Sequence, residues 1–149
     1  MYKVIQLTNT VVGAVDSGAL LPLGAITRRY GSSCQNGCSV FEVATTGANT
    51  IILNEEGYYN LTFNASLTAG AVGDIILDLL VNNVEVLSVA ETVAAVGDTS
   101  NISLSYVIRV LPNCGAIINN SPAIVQIRLD ETSVALTGGT SNIIIEKRR

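Results

Sequence analysis

The groups able to do chemistry in this chain are few, and their spacing sets what they can do. There is no histidine among the 149 residues. Imidazole acid–base work, histidine triads and histidine metal sites are therefore excluded. Carboxylates come in three pairs: Glu55-Glu56, Asp74 with Asp78, and Asp130-Glu131. A glycosidase needs two carboxylates about 5–10 Å apart in a sugar cleft. Adjacent residues on a strand point to opposite faces, so Glu55-Glu56 and Asp130-Glu131 pair poorly for that task. Both read as solvated turns. Asp74 and Asp78 are separated by an even number and share a strand face. Oxygen donors of that kind suit calcium, but no acidic cluster has the spacing of an ion-binding loop. The metal expectation is none, with Asp74 and Asp78 the only pair to watch.

Three cysteines, Cys34, Cys38 and Cys114, leave at least one thiol over in a single chain. Cys34 and Cys38 are separated by three residues, one more than the usual zinc pair. They read either as reduced thiols or as one local disulfide. Arg28, Arg29 and Tyr30 precede them and form a candidate binding loop for a carboxylate or sugar acid. Gly138-Gly139 has no following Lys-Ser/Thr, so it is not a phosphate loop. No cofactor is expected, and nothing present is a tuned acid, base or nucleophile except a lone thiol.

The bulk composition narrows the class. Charged residues are 13% and apolar residues 48%, with formal net charge −4. No apolar run approaches the roughly 18 residues of a membrane helix. The eight Lys and Arg form no patch with interleaved aromatics, so nucleic acid is not an expected partner. Lys147, Arg148 and Arg149 read as a short solvated basic tail. The opening residues lack a signal-peptide pattern, because Gln6, Thr8, Asn9 and Thr10 interrupt any apolar segment. The Asn-x-Ser/Thr sequons at Asn60, Asn64, Asn101 and Asn119 then read as coincidence.

These residues have to be positioned by β-structure. Val, Ile, Leu and Thr dominate, punctuated by Gly, Asn, Asp and Ser. Expected strands are Val11 to Val15 and Leu20 to Thr27, then Val40 to Ala44, Thr50 to Leu53 and the long Tyr58 to Thr68. Asp74 to Val81 and Val84 to Val89 follow as a hairpin about Asn82-Asn83, since two Asn tolerate positive φ. Asn101 to Leu111, Ala123 to Leu129, Ser133 to Leu136 and Asn142 to Glu146 complete the set, with Thr137 to Thr140 as the last turn. Ser88 to Val96 reads as a strand end and loop. Turn signals every 8–12 residues argue for a sandwich or barrel. The chain is one domain: an N-terminal segment and cysteine loop over 1–39, a core sandwich over 40–146 and a tail over 147–149.

Three stretches carry a family resemblance. Ala48 to Phe63, with its polar turn and Gly57-Tyr58-Tyr59, resembles the jelly rolls of complement-type heads and tumour necrosis factors. Asp78 to Val86 looks like that family's polar-tipped hairpin. Ser141 to Glu146 is similar to its closing strand. The resemblance implies an all-β, ten-stranded, two-sheet jelly-roll sandwich, usually a homotrimer with apolar strands along its axis. Ile75-Ile76-Leu77 and Ile143-Ile144-Ile145 are apolar on both faces, which means burial on both sides. Ile75, Leu77, Ile143 and Ile145 are therefore the expected oligomer interface; the competing reading is central strands of a monomer. Similar heads occur in bacteriophage fibre and capsid-associated proteins and in spore exosporium proteins. The expected role is a structural virion module, made in the host cytoplasm, partnered by itself and by other virion proteins. The alternatives are a glycan- or receptor-binding head using loops 28–38, 92–100 and 112–122, and a spore or cell-surface coat protein.

Overall fold

The structure is a computed structural model, and it describes residues 3–31, 40–43, 48–111 and 122–148. Ten strands form two five-stranded antiparallel sheets. They are β1 (Lys3–Asn9), β2 (Ala25–Tyr30), β3 (Phe41–Val43), β4 (Ile51–Leu53), β5 (Gly57–Ala69), β6 (Gly73–Val81), β7 (Val84–Val93), β8 (Thr99–Val110), β9 (Ala123–Leu129) and β10 (Leu136–Arg148). The front sheet has the order β2-β1-β10-β5-β8, the back sheet β3-β4-β9-β6-β7. This is the jelly-roll sandwich the sequence implies.

The sheets close because each strand buries every second residue. On β5 the buried set is Tyr59, Leu61, Phe63, Ala65, Leu67 and Ala69. Between them Asn60, Thr62, Asn64, Ser66 and Thr68 face out, as alternation demands. From the back sheet, Phe41, Ile51, Leu77, Val125 and Ile127 meet them, all with no exposed surface. Phe41 and Tyr59 touch edge-on at 6.0 Å. Asn82 and Asn83 have φ of 52° and 66°, so the tight hairpin between β6 and β7 forms as expected.

Several expectations fail at the ends of the chain. The N-terminal segment is integral to the sandwich: β1 pairs β10 from Lys3↔Lys147 to Asn9↔Ser141, and β2 pairs β1. Val11 to Val15 is not a strand; it contributes one bridge, Val15↔Leu136. Leu20 likewise makes only a bridge to Arg128, and the strand that follows begins at Ala25. The expected turn over Thr137 to Thr140 lies inside β10, which runs unbroken to Arg148. Gly139 makes this possible. Its φ is +143°, and a Cβ there would lie 2.3 Å from the backbone oxygen of Ser66.

The two ends of the sandwich differ. β1 starts and β10 finishes side by side at one end. At the other, backbone hydrogen bonds tie Gly97 to Ala69, Gly70 to Ala135 and Val12 to Gly139. The turns gathered there expose Val11, Val72 and Val96. No described segment is a helix, so none is a helix long and apolar enough to cross a membrane.

Candidate functional site

The expected interface residues do not face a partner. Ile75, Leu77 and Ile145 have no exposed surface and Ile143 has 1%. All four fill the core of a single chain. The period of two turns the middle residue of each run outward instead: Ile76 on the back sheet and Ile144 on the front. The apolar runs therefore mark central strands, and any contact between copies must use other side chains.

The outer face of the front sheet is built in rows set by strand register. Ser103, Asn64, Asn142 and Thr8 stand side by side across β8, β5, β10 and β1. The next row is Ser105, Thr62, Ile144 and Gln6. Both rows are uncharged over these four strands. Asn142 Oδ1 accepts hydrogen bonds from Gln6 Nε2 at 2.8 Å and Thr8 Oγ1 at 2.9 Å, which fixes all three side chains. Two shallow depressions, of about 490 and 510 Å³, lie along these rows. On β2 the second row ends in a charge, Arg28 opposite Gln6, and Glu146 and Arg109 add charge towards the end where β1 starts and β10 finishes. Arg109 lies 5.6 Å from the centre of the Tyr58 ring.

The outer face of the back sheet has the opposite character. Asp78 is fully buried there. Its Oδ1 accepts from Ser88 Oγ at 2.9 Å and its Oδ2 from Arg128 Nη2 at 2.8 Å. Carboxylate oxygens of Asp78, Glu85 and Asp130 lie within 4.8 Å of one another. The charge of Asp78, above all, raises the pKa of Glu85. Hydrogen bonds from the Thr132 side chain and backbone lead in holding Asp130 down, to about 2. Asp74 takes no part; it accepts from Thr92 Oγ1 at 2.8 Å. The expected pair of Asp74 and Asp78 thus shares a face but not a site. Both oxygens of Asp78 are already engaged, so the pair does not fit a calcium ion needing six to eight oxygen donors.

A second ion cluster joins the ends of the chain. Glu55 accepts from Lys3 Nζ at 2.9 and 2.7 Å and pairs with Lys147 Nζ at 2.9 Å. The lysine side chains are only 11% and 10% exposed. Burial alone would raise the Glu55 pKa, but the two lysines together hold it below its ordinary value. Lys147 is therefore a strand residue in an ion triad rather than part of a solvated tail, and Glu55 is not a free turn carboxylate. Nothing in the sequence spacing signals this triad, whose members come from three distant segments.

Arg28, Arg29 and Tyr30 sit on edge strand β2, not on a loop. The Arg29 side chain donates to the Phe41 carbonyl and bridges the sheets. Of the proposed contact loops, 92–100 contains the end of β7 and the exposed Val96, while most of 28–38 and 112–122 lies outside the described residues. Cys34, Cys38 and Cys114 lie outside them too.

No family model matches the chain, and no curated protein matches it. Solved structures do. Eiger, a tumour necrosis factor from S. frugiperda, superposes with a TM-score of 0.67 at 10% identity, covering 99% of this chain and 93% of that one. The globular domain of zebrafish complement 1qA gives 0.63 at 12%, covering 97% and 94%. The vertex protein P5 of PRD1 gives 0.61 at 15%, covering 99% and 97%. The chain therefore has the jelly-roll fold of complement heads and tumour necrosis factors, shared by the PRD1 vertex protein P5.

Proposed function

We propose that this chain is a non-enzymatic structural module that assembles as three copies and serves on a virion, as a capsid decoration, head-fibre or fibre-head protein. The observation that supports this reading is the end-to-end likeness to the PRD1 vertex protein P5, which covers 99% of this chain and 97% of that one. The residue inventory agrees with a structural role. The chain has no histidine, and the carboxylates of Glu55, Asp74 and Asp78 are each held by structural partners. A receptor- or glycan-binding head is the second reading, favoured by the exposed Val72 and Val96 at the end away from the termini.

The test is the solution mass by light scattering coupled to size exclusion. Three times the 15.6 kDa chain mass supports the assembly. One chain mass removes it. The virion role is checked separately by mass spectrometry of particles banded from the source culture. Absence of the chain from the particles rejects that role and leaves the assembly standing.

A further inference from the structure

We infer that Glu85 and Asp78 form a proton-operated latch on the β6–β7 hairpin, closed when one proton lies between their carboxyls and open when both are charged. A register shift builds it. Leu79 pairs Leu87, but the next pair is Leu80↔Glu85, so Val86 is an extra residue in β7. An unbroken ladder would set Val86 opposite Leu80 and Glu85 opposite Val81, which packs against the core. The bulge moves Glu85 by one place, onto the outer face that carries Asp78 and Leu80. Re-aiming a side chain in this way is a recurrent use of bulges.

Asp78 and Leu80 point outward and are nevertheless covered: Asp78 has no exposed surface and Leu80 has 6%. Asp78 already accepts from Ser88 Oγ and Arg128 Nη2. A carboxylate offers about four lone-pair sites, so it can take one further donor. Glu85 is that donor when protonated. When charged, it meets a second carboxylate at close range, since oxygens of Asp78, Glu85 and Asp130 lie within 4.8 Å of one another. The charged groups facing Glu85 are Asp78 from β6, Arg128 from β9 and Asp130 from the turn after β9. Glu91, on the same strand, pairs opposite Ile75 towards the far end. Three carboxylates against one guanidinium favour the retention of a proton. Asp130 does not hold it, because the Thr132 backbone and hydroxyl both donate to its charged form. The raised pKa of Glu85, caused first by Asp78, agrees. The latch is therefore closed in acid, and opens as the pH rises through a folded value above 4.5.

The experiment is amide hydrogen exchange on the full chain, followed by nuclear magnetic resonance from about pH 4 to 7 with the Glu85 carboxyl titrated in the same samples. In the wild type, protection of the hairpin amides, relative to those of β5, should fall severalfold as Glu85 loses its proton. Glu85→Gln keeps a donor for Asp78 at every pH, so its hairpin should stay protected throughout. Glu85→Ala removes the charge and the donor together, so its hairpin should stay weakly protected throughout. Glu85 is exposed, so both variants should fold. Wild-type protection that ignores the Glu85 titration overturns the latch. So does equal protection in Glu85→Ala and Glu85→Gln, which would leave only the relief of repulsion.

Discussion

Glu55 shows how much depends on a single carboxylate. It holds two nearly buried lysines, Lys3 from the first strand and Lys147 from the last. Glu55→Gln leaves two ammonium groups facing each other without a counter-charge. Breaking a fully buried pair costs about 3–5 kcal/mol, and partial exposure here lowers the expected loss to about 2 kcal/mol. The pH dependence follows from the lowered pKa. Its stabilisation is present above the ordinary value of 4.5 and is lost as pH falls through the lower folded value. Thermal melts should show the gap between wild type and Glu55→Gln at pH 7 closing progressively as the pH falls below 4.5. Glu85 gives the opposite sign. Its raised pKa means that the folded state resists its charge, mainly because of Asp78. Glu85→Gln should therefore raise the melting temperature at pH 7, with the gain disappearing once the wild-type carboxyl is protonated. Neither site was legible in the sequence. Glu55 and Glu56 read as an ordinary acidic turn. Asp78 paired on paper with Asp74, whereas its real neighbours lie across the β6–β7 hairpin and beyond β9.

At the scale of elements, the sequence spoke clearly wherever one face of a strand is buried and the other wet. β5 and β8 alternate over their whole length, and both fall within two residues of the expected bounds at each end. The Asn82-Asn83 turn was readable because it needs positive φ twice. β1 was missed because Gln6 and Thr8 were read as interruptions of an apolar run rather than as the outward half of an alternation. β10 was split in two because Gly138-Gly139 carries a turn signal. Here glycine answers a different need, the close approach of β10 to Ser66 on β5. Gly139→Ala must move one strand from the other or strain its backbone. Strained backbone conformations cost of order 1–3 kcal/mol and overpacking adds a similar amount, so a loss of about 3 kcal/mol is expected in urea titration.

Across the whole molecule, apolar residues are 48% of the chain, and the structure gathers a large share of them in one core between the sheets. The four isoleucine and leucine side chains expected at an interface are simply core. The proposed assembly of three copies has a measurable consequence. A folded state linked to association gains stability with concentration by mass action. The melting temperature should therefore rise over a hundredfold increase in protein concentration if the chain assembles as proposed, and stay flat if it is one chain in solution. The arrangement of the ends has a use of another kind. Lys3 and Lys147 are paired neighbours on adjacent strands, with Cα atoms about 5 Å apart. A short linker can join the two ends without crossing the sandwich. The turns at Val72 and Val96, exposed at the far end, are then natural places to open the chain. A circular permutant cut at Val96 should keep both sheets and the same far-ultraviolet spectrum. Its new ends would emerge from the opposite pole, so a fused cargo would be displayed there instead of beside Glu55.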